Sequence, residues 1–299
     1  MTEEANGQGR DQPMPSSSRP GGGASIEVYQ FDAGQSIVAR FADGLMDLRE
    51  AAGMMPIWLV LAWRDFLQQT RRTFMGPLWS IIGTGITVTV LGYVYGAVLK
   101  MNGSTVFPHI AAGLVIWFFI SGCINGGLSV YISARGVLEE RALPVAFSAF
   151  RFVFRYMIEL IVKFVVFALA AAAVALPMNV NAFLALPGLV ILILNGLWVV
   201  LVFGPLGARY RDVSQVVSPL MLIAFLASPV LWPEGMLGGS GFIATFNPFT
   251  HFLAIVRDPL LGSPPSMLSV VVTLAVTVGG SVLAVVCHCL YKDRIVFWI

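Results

Sequence analysis

The sequence predicts an all-α integral membrane protein, and three observations lead to that prediction. Hydrophobic residues make up 57% of the 299-residue chain and charged residues only 11%, and the mean hydropathy is +0.82. A soluble domain carries about 25% charged residues, so this chain lacks the polar side chains that would cover a water-facing surface. The apolar residues also fall into separate stretches, each about long enough for one membrane span.

Six stretches of the chain are apolar enough to cross a membrane as helices. A spanning helix needs about 20 mostly apolar residues. In chain order the stretches are residues 79–99, 110–132, 152–176, 183–203, 216–231 and 267–290. The fifth is the shortest, so we expect it to continue irregularly into the loop that follows.

The positions of lysine and arginine indicate how the chain is oriented. Cytoplasmic loops of membrane proteins carry an excess of these residues. One set of connections carries only Lys100 and Arg257. The other set carries Arg64, Arg71, Arg72, Arg135, Arg141, Arg151, Arg155, Arg209, Arg211, Lys292 and Arg294. We therefore expect both termini to lie in the cytoplasm.

The part of the chain before the first span divides into two segments. Residues 1–25 are rich in glycine, proline, serine and glutamine. Such a segment buries too little apolar surface to offset its ordering entropy, which predicts a disordered cytoplasmic tail. Residues 26–78 are expected to form a cytoplasmic segment with one amphipathic helix on the membrane surface, and residues 79–299 the transmembrane domain. The interfacial helix is marked by Arg64, Asp65, Arg71 and Arg72, directly before Gly76, Pro77 and Trp79.

The connection between the fifth and sixth spans, residues 232–266, combines chain-breaking residues with aromatic ones. Glycines and prolines recur along it, together with Phe242, Phe246, Phe249 and Phe252. An apolar segment interrupted in this way predicts short re-entrant helices on the outer side. A surface amphipathic loop is the alternative.

The sequence offers little catalytic chemistry. The three histidines, His109, His251 and His288, stand far apart in the chain, and no paired carboxylates at helical spacing occur in the spans. No glycine-rich loop of the phosphate-binding kind is present. We predict no catalytic residue, no metal and no ATP site of that type. Cys287, His288 and Cys289 alternate, but residues at i and i+2 on a helix point apart, which favours packing over a metal site.

Glu159 and Lys163 are the charged residues well inside a predicted span. Their spacing of four, with Glu first, favours an ion pair on one helix face. A charge in hydrocarbon is costly and commonly functional, which suggests a polar lining near the cytoplasmic mouth of a pathway. The alternative is a self-neutralised pair whose lysine extends toward the interface.

The inner connection between the second and third spans, residues 133–151, predicts a short amphipathic helix broken at Pro144. Glu139, Glu140 and Arg141 stand among apolar residues there. Such a helix either presents a docking surface to a cytoplasmic partner or only connects the spans.

Three short motifs occur in order along the chain. They are Arg64-Asp65 with Arg72, Gly76 and Trp79; Arg209 to Asp212 followed by Ser228-Pro229; and Asn247-Pro248 followed by Arg257 and Leu261-Gly262. Together they resemble motifs of the ABC-2 type permeases of the polysaccharide, O-antigen and teichoic-acid exporter family. Thr73 and Met75 depart from the tyrosine and leucine usual in the first motif. The resemblance covers about residues 55–299.

The resemblance implies a six-span half that pairs with a second copy of itself and with two separate ABC ATPase subunits. Those subunits would bind ATP and magnesium, so no cofactor is expected on this chain. The cargo would be an undecaprenyl- or polyprenyl-pyrophosphate-linked glycan such as O-antigen, capsule, teichoic acid or galactan. The membrane would be the bacterial plasma membrane.

The resemblance also implies roles for individual residues. Glu139, Glu140 and Arg141 would form a coupling helix that faces the ATPase, and Arg64, Asp65, Arg71 and Arg72 the interfacial helix. The outer gate would comprise Phe242, Phe246, Asn247, Pro248 and Arg257. Candidates for the cargo path are Trp117, Phe118, Phe119 and Tyr93, with Glu159 and Lys163, because aromatic faces stack on the CH groups of sugars. Tyr93 and Tyr95 fit an aromatic belt at the interface equally well.

Two other functions fit parts of the sequence. An ABC-2 drug or lipid exporter permease would share the architecture. An integral-membrane glycosyl- or acyltransferase would need an acidic or histidine-centred site at the interface, for which His109 and His251 are the available histidines.

Overall fold

A computed structural model describes residues 36–70, 74–136, 143–177, 179–236 and 242–299. These ranges contain helices and short connections and no β-strand, which confirms the predicted all-α class. The predicted tail, Arg71, Arg72 and the segment from Glu139 to Arg141 lie outside the described residues.

The main elements of the described part of the chain are eleven α-helices and one 3₁₀ helix of five residues. They are α1 (Ile37–Gly53), α2 (Met55–Thr70), α3 (Leu78–Leu99), α4 (Gly103–Gly127), α5 (Val130–Ser133), α6 (Val145–Ala173), the 3₁₀ helix Val180–Leu184, α7 (Ala185–Arg209), α8 (Val213–Ala227), α9 (Phe242–Phe246), α10 (Pro248–Leu260) and α11 (Met267–Trp298).

Within the described ranges, five helices are long and apolar enough to cross a membrane: α3, α4, α6, α7 with its preceding 3₁₀ turn, and α11. Helix α8 is also apolar but has only 15 residues. Helix α4 lies in the centre of the bundle, since 67% of its most apolar stretch is buried, against 17–39% in the other four. The remaining apolar surface of these helices suits a lipid environment, and the chain is a multi-pass membrane protein.

The helix ends differ from the boundaries expected from hydropathy. Helix α4 begins at Gly103 rather than 110, α6 begins at Val145 rather than 152, and α11 runs to Trp298. Hydropathy reports the apolar middle of a span, whereas a helix ends where its backbone hydrogen bonds end. A side-chain cap sets the start of α11, where the Ser266 hydroxyl accepts a hydrogen bond from the Ser269 amide.

Between residues 36 and 70, which the structure describes, two helices precede the first span where the sequence predicted one. The predicted interfacial residues Arg64 and Asp65 lie on α2, which already begins at Met55. Helix α1 was not predicted; it begins after Ser36, whose hydroxyl accepts a hydrogen bond from the Ala39 amide. The Trp58 indole donates to the Ala51 carbonyl at 3.1 Å and so fixes the corner between α1 and α2.

The connection between α8 and α11 contains helices α9 and α10, whose re-entrant placement in the membrane stays a prediction. Helix α10 packs against α4, α7 and α11. All of its side chains from Thr250 to Arg257 are buried. This segment is therefore part of the packed bundle.

Helix α7 crosses the end of α4 so closely that one added methyl group should destabilise the fold. A Cβ at Gly207 would lie 2.0 Å from the Leu128 carbonyl oxygen, whereas a Cβ at Gly83 would meet nothing within 4 Å. We expect Gly207→Ala to lower the free energy of unfolding by about 1–3 kcal/mol or more, because the obstacle is backbone. Gly83→Ala, also in a helix interior, serves as the matched control. Thermal unfolding in detergent measures both, and equal midpoints would contradict the crossing.

Candidate functional site

Four charged side chains follow one another along α6 at a spacing of four residues. They are Arg151, Arg155, Glu159 and Lys163, which we call the polar ladder. Residues four apart lie on the same helix face, so the ladder covers one side of α6 over about 18 Å. A charge in the apolar part of a membrane is expensive unless it has a partner. The partners of these four side chains therefore indicate which parts of the protein the ladder contacts.

Helix α2 supplies the partners at the start of the ladder. The Asp65 carboxylate receives Nε and Nη2 of Arg151 at 2.6 and 2.5 Å, a bidentate ion pair in which each side chain is 25% exposed. One turn further along both helices, Arg155 Nη1 donates to Gln69 Oε1 at 2.9 Å. Of the predicted interfacial residues in the described ranges, Asp65 thus contacts the third span, while Arg64 is exposed.

The far end of the ladder is partnered within the membrane. Lys163 Nζ lies 2.7 Å from Glu159 Oε1, which confirms the ion pair predicted from their spacing. The same ammonium lies 4.6 Å from the ring centroid of Phe118 on α4, in cation–π geometry. Three predicted cargo-path residues therefore meet at one point, between α4 and α6.

Two glycines on α4 make room for the aromatic rings that pack beside the ladder. A Cβ at Gly122 would lie 2.1 Å from the Tyr156 ring, and one at Gly126 would lie 2.6 Å from the Phe152 ring. The two rings lie 4.8 Å apart. The Arg155 guanidinium lies over both, at 5.4 and 4.7 Å from the centroids of Phe152 and Tyr156. Glycine at two positions on α4 thus allows the close packing that holds this arginine.

An open cleft of about 420 Å³ lies beside the start of the ladder. Its walls come from α2, the end of α4, α5 and the first turns of α6. Arg151, Arg155 and Asp65 provide its charged groups, Phe152 and Tyr156 its aromatic faces, and Ser129, Ser133 and Ser148 its hydroxyls. The cleft is therefore a mixed polar and aromatic site at the end of the bundle where α4 stops and α6 begins.

The other aromatic candidates lie away from this cleft. The Trp117 ring packs against Phe225 and Phe249, with both centroid distances 5.4 Å. Phe119 is buried and lines a separate apolar cavity of about 210 Å³ between α4, α7 and α10. Tyr93 is exposed on α3. The cargo-contacting roles of these three residues stay predictions.

The predicted outer-gate residues fall into two groups. Asn247 and Arg257 join α10 to the end of α8. Asn247 Nδ2 donates to Ser228 Oγ at 2.9 Å, and its Oδ1 accepts from the Phe249 amide at 3.0 Å, directly after Pro248. Phe242 and Phe246 are exposed on α9.

The guanidinium of Arg257 is the buried charge of this outer segment. It donates to the Pro229 carbonyl at 2.5 Å, to Glu234 at 3.1 Å and to Asp258 at 3.2 Å. These contacts hold α10 against the connection after α8.

Asp47 on α1 forms a joint between three helices that the sequence did not reveal. Its carboxylate accepts hydrogen bonds from the amides of Val145 and Ala146, at 2.9 and 3.0 Å, and so caps the start of α6. The buried His288 of α11 lies 2.8 Å from the same carboxylate. The residue before α6 is Pro144, which has no capping side chain, so the cap comes from a helix 98 residues earlier in the chain.

Of the adjacent residues Cys287, His288 and Cys289, the last two contact α1. His288 faces Asp47, and Cys289 packs against Gly44 of α1 so closely that a Cβ there would lie 2.5 Å from its sulfur. Among the described residues, no three histidine, cysteine or acidic side chains come together as metal ligands.

Comparison with known proteins agrees with this architecture. Residues 57–261, more than half of the chain, match the family model described as ABC-2 type transporter. The chain belongs to the ABC-2 type transporter family. Membership makes it a membrane component of a transporter and implies an ABC-type ATPase as partner. One relative is the O-antigen export system permease protein RfbA of Myxococcus xanthus, 20% identical over 186 residues that cover 62% of this chain and 72% of the relative.

The Asp47 joint predicts a pH-dependent contribution to stability. Burial acts to raise the pKa of Asp47, but the hydrogen bond and charge of His288 and the amides of Ala146 and Val145 outweigh it, so the pKa lies below 3.8. Its stabilisation is therefore fully present above about pH 4 and is lost as pH falls through the lowered pKa. At pH 7 we expect Asp47→Ala to lower the free energy of unfolding by about 2 kcal/mol, as the loss of a helix cap and a charged hydrogen bond suggests.

Asp43→Ala, one turn earlier on α1, removes the same charge and serves as the control. Unfolding midpoints at pH 7 and below pH 4 measure the effect. An Asp47→Ala deficit that does not shrink in acid would contradict the role of the ionised carboxylate.

Proposed function

We propose that this chain is the permease subunit of an ATP-driven exporter that moves a lipid-linked polysaccharide across the bacterial plasma membrane. The observation that carries the proposal is the polar ladder. It places charged, hydroxyl and aromatic groups along a membrane helix, from a cleft at the end of the bundle to the Lys163–Phe118 contact. A polar, sugar-bearing cargo needs such a lining, whereas an apolar cargo does not. The O-antigen export permease among the relatives supports the same cargo class.

The proposal includes a topology of six spans with both termini in the cytoplasm. Helix α8 would be the fifth span, shortened because α9 and α10 return into the outer half of the membrane as re-entrant helices. The excess of arginine on one side supports this orientation. Residues 1–25 would be a disordered tail, 26–78 the cytoplasmic segment and 79–299 the transmembrane domain.

The exporter would assemble from several subunits. Two copies of the chain would enclose the pathway, and two ABC ATPase subunits would bind ATP and magnesium on the cytoplasmic side. Glu139, Glu140 and Arg141 would contact the ATPase. Phe242, Phe246, Asn247, Pro248 and Arg257 would form the outer gate. The cargo would be a glycan of the O-antigen, galactan, capsule or teichoic-acid type on a polyprenyl pyrophosphate.

A second candidate is export of a lipid or drug by the same architecture. The apolar cavity lined by Phe119, Trp198 and Phe249 favours it, because apolar ligands bind in enclosed sites of that composition. In this case the apolar cavity, and not the polar ladder, would contact the cargo.

Deletion of the gene in its host tests the proposal. We expect lipid-linked glycan to accumulate on the cytoplasmic face and surface glycan to be lost, because synthesis continues while export stops. The chain should restore export only together with an active ATPase subunit, with an ATPase variant that cannot hydrolyse ATP as the control. Normal surface glycan in the deletion strain, combined with changed drug or lipid export, would establish the second candidate instead.

A further inference from the structure

The described residues that line the cleft beside the ladder carry an excess of positive charge. Arg151 and Arg155 contribute two guanidinium groups, and Asp65 is the carboxylate among the described residues of its wall. Guanidinium groups stay charged at any physiological pH and present a planar set of donors that matches phosphate. Its volume of about 420 Å³ falls in the range of small-ligand sites. A cleft of this size and charge favours an anionic group.

The position of the cleft selects an anion that belongs to a lipid. Arg155 lies one turn before Glu159 on a helix that goes on into the apolar part of the membrane, so the cleft lies at the headgroup end of the span. Phe152 and Tyr156 give it an apolar wall on the side of α4. A phosphate group with an attached apolar chain meets both kinds of surface at once.

The guanidinium of Arg151 already binds a carboxylate of the protein itself. Asp65 receives Nε and Nη2, the pair of donors with which arginine also binds a phosphate in bidentate fashion. Arg155 holds its place through Gln69, which is neutral, and through stacking on Phe152 and Tyr156. Asp65 therefore neutralises the charge of Arg151, whereas these contacts of Arg155 include no carboxylate.

We propose that this cleft binds the diphosphate headgroup of a lipid-linked substrate and that Asp65 is the counter-ion which the headgroup displaces from Arg151. The identity of the lipid as a transport substrate rests on the proposed function. A diphosphate carries more negative charge than a carboxylate and reaches both guanidinium groups, so it competes with Asp65 for Arg151. Because Asp65 belongs to α2, the exchange releases α2 from α6 at that turn and couples substrate binding to the interfacial helix.

Direct binding measurements test the proposal on the purified full-length chain in phosphatidylcholine nanodiscs. Farnesyl diphosphate serves as the probe and inorganic pyrophosphate as the headgroup alone. Arg151→Gln and Arg155→Gln should each weaken binding of farnesyl diphosphate about tenfold, the usual effect of losing a charged hydrogen bond. Asp65→Asn keeps a hydrogen-bond acceptor but removes the competing charge, so it should tighten binding several-fold. Lys292→Gln, which removes a positive charge near the end of α11, is the control and should leave binding unchanged.

The sign of the Asp65→Asn effect separates this proposal from a purely structural ion pair. A structural pair predicts weaker or unchanged binding in all three variants, and that result would overturn the proposal. If Arg151→Gln does not fold, Arg155→Gln and Asp65→Asn still decide the matter. Nanodiscs of phosphatidylglycerol supply the other source of lipid phosphate. Competition from phosphatidylglycerol as strong as that from farnesyl diphosphate would assign the cleft to bulk lipid and overturn the assignment to a substrate.

Export assays distinguish failure of this proposal from failure of the proposed function. Wild-type glycan export by Arg151→Gln and Arg155→Gln would overturn the headgroup site and leave the exporter function intact. The purified chain could instead bind diphosphate through these arginines while deletion of its gene leaves surface glycan unchanged. The site would then stand, and the glycan cargo would be wrong.

Discussion

Four charged residues on one membrane helix impose the constraint on which the rest of this structure depends. On insertion scales a charge at the centre of a span costs about 2.5–3.5 kcal/mol, and less near its ends, so the charged side chains of α6, above all Glu159 and Lys163, depend on partners. Helix α2 supplies Asp65 and Gln69 for the two arginines, and Glu159 and Lys163 neutralise each other. The short helix before the first span is thus more than an anchor on the membrane surface. It completes the charge balance of the third span.

The same constraint accounts for the packing around α6. Its first turn begins without a capping residue of its own, and Asp47 of α1 caps it while holding His288 of α11. Glycines 122 and 126 of α4 admit the rings on which Arg155 stacks. These contacts bring α1, α2, α4 and α11 together at the end of the bundle where the cleft opens.

The sequence predicted those features that depend on neighbours along the chain. Apolar length predicted the long helices, the spacing of Glu159 and Lys163 predicted their ion pair, and three motifs predicted the family. Features that depend on distant partners were missed. Asp47 meets amides 98 and 99 residues away and a histidine 241 residues away, and nothing in its local sequence indicates them. Aromatic clusters were equally ambiguous, because Trp117 and Phe118 are adjacent in sequence but face Phe249 and Lys163 respectively.

A double-mutant cycle on Asp65 and Arg151 tests most directly whether α2 completes the charge balance of α6. The free energy of unfolding in detergent micelles would be measured for the wild type, Asp65→Ala, Arg151→Ala and the double variant. Contacting charged residues in one network show interaction energies of about 0.5–3 kcal/mol. We expect a coupling in the upper part of that range, with the double variant more stable than the sum of the single effects implies. Single effects that add to within about 0.5 kcal/mol would contradict it.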